Sequence, residues 1–173
     1  MTNIDIMEKD LRNLEESAGS KPSGVRQHWL RFKYPETLRQ QEKLELRYDS
    51  SWMFADKMGW RNSYCLPFRP YDIIKDRMMD IWEIPLCYMD NTPIKYQKLS
   101  LEEIRDHFDQ LLIQVKSYGG LLVMLWHNNY FDEDEIPDIT LLYFELLNKI
   151  ASRKPESILP MTLIDRLESL EYE

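Results

Sequence analysis

The sequence predicts an α/β fold built on parallel strands, and three observations carry that prediction. Short strand-like apolar segments alternate with amphipathic segments at helical spacing, the pattern of successive βα units. Residues 121–126 are apolar throughout, as in a parallel strand covered on both faces. Before them, Ser100-Leu101-Glu102-Glu103 is a capping box. It opens a helix whose Leu101, Ile104, Phe108, Leu111, Leu112, Val115 and Tyr118 share one face.

The elements follow in order. Residues 6–18 form an amphipathic helix with Ile6, Leu11 and Leu14 on one side, ended by Gly19, Pro22, Ser23 and Gly24. Residues 25–32 are extended, and Pro35 suits the first turn of a helix reaching residue 44. Residues 45–48 are extended again and lead into the loop Asp49-Ser50-Ser51. Gly59, Pro67 and Pro70 make 52–72 irregular, and 72–79 fit a short helix. Residues 81–89 have strand composition, with Pro85 marking an edge or a bulge. The 101–118 helix stops at Gly119-Gly120, where the strand 121–126 begins. The acidic loop Asp132-Glu133-Asp134-Glu135 and Pro137 lead into a helix over 138–152, and a last helix spans 161–170.

A chain of 173 residues is read as one domain, 1–173, large enough for a real core. Its 43% hydrophobic and 12% aromatic content is that of a globular protein rather than a disordered one. The net charge of −8 repels phosphate backbones, so neither nucleic acid nor an anionic membrane is expected as a partner. Residues 121–126 are too few to span a bilayer, and the first ten residues lack a basic start and an apolar run, so a cytoplasmic location is expected. Cys65 and Cys87 form no metal or redox motif and are expected to be reduced and structural.

His127 is the leading candidate for chemistry. It stands at the C-terminal end of a predicted parallel strand, the edge where α/β folds gather reactive groups, and imidazole suits a general acid at neutral pH. A capped polar residue closing a strand explains the same position. His107 lies beside the apolar face of its helix and is expected at the surface. The three histidines, at 28, 107 and 127, match no metal-ligand template.

Four segments in order carry a resemblance: Gly24-Val25-Arg26-Gln27-His28-Trp29-Leu30-Arg31-Phe32, Tyr48-Asp49-Ser50-Ser51, Gly59-Trp60-Arg61 through Pro67-Phe68, and Leu125-Trp126-His127-Asn128. In order and spacing they resemble the C-terminal half of polysaccharide deacetylases of the NodB-homology type. That resemblance implies a partial (β/α) barrel lacking the first strands, truncated relative to the family. It implies His127 as the acid that protonates the leaving amine, Asp49 as the carboxylate that positions it, and Arg26 as the residue that orients the catalytic base. A pairing with any nearby acid for Arg26, and a turn or cap role for Asp49, compete with those assignments. His28, Trp29, Arg61, Trp126 and Asn128 would lie at the substrate. Ser63 stands where the family has Gly, so that turn is expected to differ. Glu83-Ile84-Pro85 and Met89-Asp90-Asn91-Thr92 also match and read as architectural.

The family uses a divalent metal, commonly zinc, to activate water; its Asp-Asp and His-x-x-x-His motifs are not found in this chain. The implied function is N- or O-deacetylation of an acetylated glycan by metal-dependent hydrolysis, once a partner half completes the site. The alternative is a non-catalytic glycan- or protein-binding remnant. A part-barrel exposes strand edges, which favours self-association or a complementary N-terminal half as partner.

Overall fold

The computed structural model describes residues 4–132 and 136–171, so the acidic loop at 133–135 lies outside the described residues. The protein is a mixed helix-and-sheet structure, in line with the α/β expectation at that level. Its sheets are short, and no closed barrel exists among the described residues. Two compact units are built from interleaved stretches: residues up to Trp52 with 67–84 and from Ile158 on, and residues 53–66 with 85–157. No helix of the described residues is long and apolar enough to cross a membrane.

In the first unit, helix α1 (Ile4–Ala18) turns Met7 and Leu11 inward, while Ile6 and Leu14 stay exposed. The buried stripe is thus rotated from the predicted one, to the side on which Met7 and Leu11, four apart, lie one above the other. Strand β1 (Gly24–Val25) is far shorter than expected. Its chain turns at His28–Leu30, where Trp29 and Leu30 take φ of 61° and 48°. Gly24 has no side chain because a Cβ there would sit 2.2 Å from the Tyr48 ring. Helix α2 (Glu36–Lys43) follows Pro35 as predicted and buries Leu38. Strands β2 (Tyr48–Asp49) and β5 (Trp82–Glu83) complete a parallel sheet in the order β1-β2-β5. Leu38, Leu46, Met79 and Ile81 form the core beneath it.

The helix expected over 72–79 is instead a hairpin, β3 (Tyr71–Asp72) paired antiparallel with β4 (Arg77–Met78). Asp72 decides this. Its Oδ1 accepts the amides of Ile74 and Lys75 at 3.0 and 3.1 Å, and Arg39 grips both oxygens at 2.6 Å. A buried carboxylate satisfied by a turn outweighs local helix propensity. Helix α5 (Pro160–Glu171) returns to this unit and buries Ile164.

In the second unit, helix α3 (Leu101–Tyr118) has its predicted capping box, with Ser100 Oγ accepting from the Glu103 amide and Glu103 Oε2 from the Ser100 amide. Gly119 ends it at φ 62°. His107 is exposed on it, as expected. Helix α4 (Ile139–Ala151) packs on α3, and strands β6 (Tyr88–Met89) and β7 (Met124–Leu125) pair in parallel. The segment predicted as one strand over 81–89 is therefore two, β5 and β6, separated at Pro85, which has no amide hydrogen for a ladder. The segment 121–126 is half-buried rather than covered on both faces, and β7 pairs on one side only among the described residues. The turn at Thr92–Tyr96, a π-type helix, carries no period that sequence reading detects. Tyr88, Ile104, Phe108, Leu112, Tyr130, Leu142 and Leu146 make the core. Cys65 and Cys87 are free and buried within this unit, and burial pushes the Cys87 thiol up to about 12.

Candidate functional site

The predicted catalytic residues fall into two groups, each with its own chemistry. His127 follows β7, and its neighbour on the adjacent parallel strand is Asp90, directly after β6. Parallel pairing of two strands puts both residues at the same C-terminal edge. Asp90 is fully buried. Its Oδ1 lies 2.6 Å from His127 Nδ1, and its Oδ2 accepts the His127 backbone amide. The Asn91 amide nitrogen stands 3.4 Å from the same Nδ1. Tyr130, buried in the following turn, donates from its hydroxyl to Asn91 Oδ1 at 2.6 Å. The His127 side chain keeps 35% of its surface exposed, while Asp90 keeps none. A carboxylate on Nδ1 fixes the proton there and leaves Nε2, across the ring, to meet a ligand.

The carboxylate on His127 Nδ1 is thus Asp90. Asp49 belongs to the other unit, where its oxygens accept from Gln41 Nε2 at 2.6 Å, the Ser51 amide at 2.7 Å and Ser51 Oγ at 3.0 Å. In the sequence, Asp90 falls in the segment Met89-Asp90-Asn91-Thr92, which reads as architectural, so its link to His127 was missed. The signal available was the strand-like run before it, which puts Asp90 at a sheet edge as the strand 121–126 puts His127.

The second group lines the edge of the β1-β2-β5 sheet. Asp49 and Glu83 are register partners on adjacent parallel strands, and both are fully buried. Burial pushes the Glu83 carboxyl well above its usual range, and the charge and hydrogen bond of Asp49 push it further. Burial also raises Asp49, opposed by the donors of Ser51, Glu83 and Gln41. Two desolvated carboxyls on neighbouring strands disfavour each other's ionised form, while Glu83 Oε1 accepts the Trp52 amide at 3.1 Å. Arg26 stands nearby and donates to Ser50 O and Ser50 Oγ, both at 2.9 Å. Its electrostatic partners are Asp49, Tyr48 and Glu83, so the acid it faces is this structural pair.

This pair sets a pH dependence with a definite sign. A carboxyl whose folded pKa is raised contributes stability that is fully present below its unfolded pKa and lost as pH rises through the folded pKa. Glu83→Gln keeps the size of the side chain and cannot ionise. Urea midpoints of the variant are expected to lose less than the wild type as pH rises from about 4 to 8. A constant difference between the two proteins across that range would contradict a raised Glu83 carboxyl.

The predicted substrate residues have varied surroundings. Trp29 is 70% exposed, with His28 beside it at 5.5 Å between ring centroids. Arg61 is exposed and lies over the Phe54 ring at 5.6 Å. Asn128 is exposed in the turn after His127. Trp126 packs into the aromatic core, stacked on Tyr88 at 6.4 Å and tilted on Tyr143 at 5.0 Å, so most of its surface is used by packing. Ser63 adopts φ 56°, in the left-handed region that glycine takes freely.

No family model matches the chain, and no curated protein matches it.

Proposed function

We propose that this protein acts on acetylated carbohydrate and that the His127–Asp90 pair is the general acid of a polysaccharide-deacetylase-like site. The pair carries the reading: a part-exposed imidazole at the end of a parallel strand, its Nδ1 held by a buried carboxylate. The acid is the doubly protonated ring: Nε2 hands its proton to the departing amine of an N-acetyl group or the departing oxygen of an O-acetyl group, and the neutral ring is left with its Nδ1 proton on Asp90. The substrate class comes from the four resembling segments. A partial barrel lacking the first strands, and a complementary half or second copy that supplies the base, belong to the same proposal. The family's zinc finds no group of three or more His, Cys, Asp or Glu placed to hold it among the described residues, so these residues do not fit it. The step assigned to this chain is the proton transfer alone.

Acetate release from N-acetylchitotetraose and from O-acetylated xylan, with added Zn²⁺, tests the proposal. Asp90→Asn keeps the shape but disturbs the tautomer, and is expected to slow release at least about tenfold. A rate rising with the square of protein concentration is the signature of a site completed by a second copy. Release that ignores Asp90→Asn, or no release at any concentration, sinks the reading.

One observation favours the non-catalytic alternative. Trp29 is exposed and held at positive φ, where a bulky residue is strained by about 1–3 kcal/mol, a cost that tends to persist at ligand sites. An indole so displayed is a stacking surface for a sugar ring. Calorimetric binding of N-acetylchitotetraose that is independent of zinc and abolished by Trp29→Ala is its signature.

A further inference from the structure

A cavity of about 470 Å³ in the first unit is lined by Leu46, Arg47, Arg69, Asp80, Trp82 and Glu168, among others. Glu168 comes from α5, a helix whose only fully buried side chain among the described residues is Ile164. Polar contacts therefore do much of the holding. Glu168 Oε2 accepts from Arg47 Nη2 at 2.5 Å, and its Oε1 accepts from the Trp82 indole nitrogen at 3.2 Å. Arg69 adds an ion pair at 3.8 Å, and its guanidinium lies over the Trp82 ring at 5.1 Å. Arg47 also reaches Asp165, one turn earlier on α5, at 3.1 Å.

The other acids of the cavity already have cations. Glu42 is held by Arg77, Glu45 by Lys21, and Asp80 by Arg69. Two guanidinium groups and an indole N–H thus converge on one carboxylate, and that carboxylate is carried by a lightly packed helix. Planar guanidinium donors with an indole N–H beside them are well matched to carboxylate recognition. We propose that Arg47, Arg69 and Trp82 form a carboxylate-binding cradle that the chain's own Glu168 fills, and that α5 is a strap which a carboxylate-bearing ligand displaces. This site is independent of the His127–Asp90 pair and of the function proposed for it.

An internal ligand lowers the apparent affinity for an external one by the fraction of time the cradle is empty. D-glucuronate, a carboxylate on a sugar ring, is the probe, and D-glucose at equal ionic strength is its neutral control. In Glu168→Gln, hydrogen exchange across residues 160–171 is expected to quicken about tenfold, as a charged latch becomes a neutral one. Calorimetry should show D-glucuronate binding to that variant at least about tenfold more tightly than to the wild type, with D-glucose binding neither. Adding Arg47→Gln to Glu168→Gln should abolish the gain. Equal binding of D-glucuronate to wild type and variant, binding to neither, or a gain that survives Arg47→Gln overturns the proposal and leaves Glu168 as a helix anchor.

Discussion

Acetate release is expected to fall about 10²–10⁴-fold when His127 is replaced by glutamine. The size follows from what the substitution removes. Glutamine still reaches Asp90 with an amide N–H, and the site keeps its shape, but no group remains that can pass a proton from Nε2. Because the effect lies in proton transfer, kcat should fall far more than KM rises. The thermal midpoint should stay near the wild-type value, since His127 is part-exposed and contributes little packing. The comparison that decides is the rate ratio alongside the circular dichroism of both proteins. A ratio near one with an intact fold means that His127 is only the polar residue closing β7.

The largest effect on stability is expected at Phe108. Its ring is fully buried on α3 and meets Tyr88 edge-on at 5.2 Å and 87°. Truncation to alanine removes the transfer free energy of the ring and leaves a cavity walled by α3, α4 and β6, at a cost of about 3–5 kcal/mol. Phe108→Leu, which fills much of the space, should cost about half as much or less. Urea unfolding followed by fluorescence measures both. A loss under about 1 kcal/mol for Phe108→Ala would mean that the second unit's core collapses around the gap or does not depend on this helix.

Helix α3 shows what a local code can specify. Ser100, Glu103, the apolar spacing and Gly119 all act within a few residues of one another, and the helix begins and ends where they say. Helices α2, α4 and α5 were legible for the same reason. Most strands were legible in place but not in extent. At two residues each, they are too short to show a period of two, and what makes them strands is a partner distant in sequence. The hairpin at 71–78 was misread as helix because Asp72 takes its decisive bonds from Arg39, 33 residues away.

The candidate site divides along the same line. The sequence alone determined His127 as a candidate, because one apolar strand ending in an ionisable residue is a local pattern. It also determined the mixed helix-and-sheet character, the long helix and the net acidic charge. Only the tertiary structure decided that Asp90, 37 residues away, is the carboxylate on His127, and that Asp49 is held by Gln41 and Ser51 beside Glu83. It alone revealed Glu168 seated among Arg47, Arg69 and Trp82. The physical reason is common to these cases. Helix propensity and capping are settled between neighbours in the chain, whereas the partner of a buried charge is settled by whichever strand or helix packing brings alongside it.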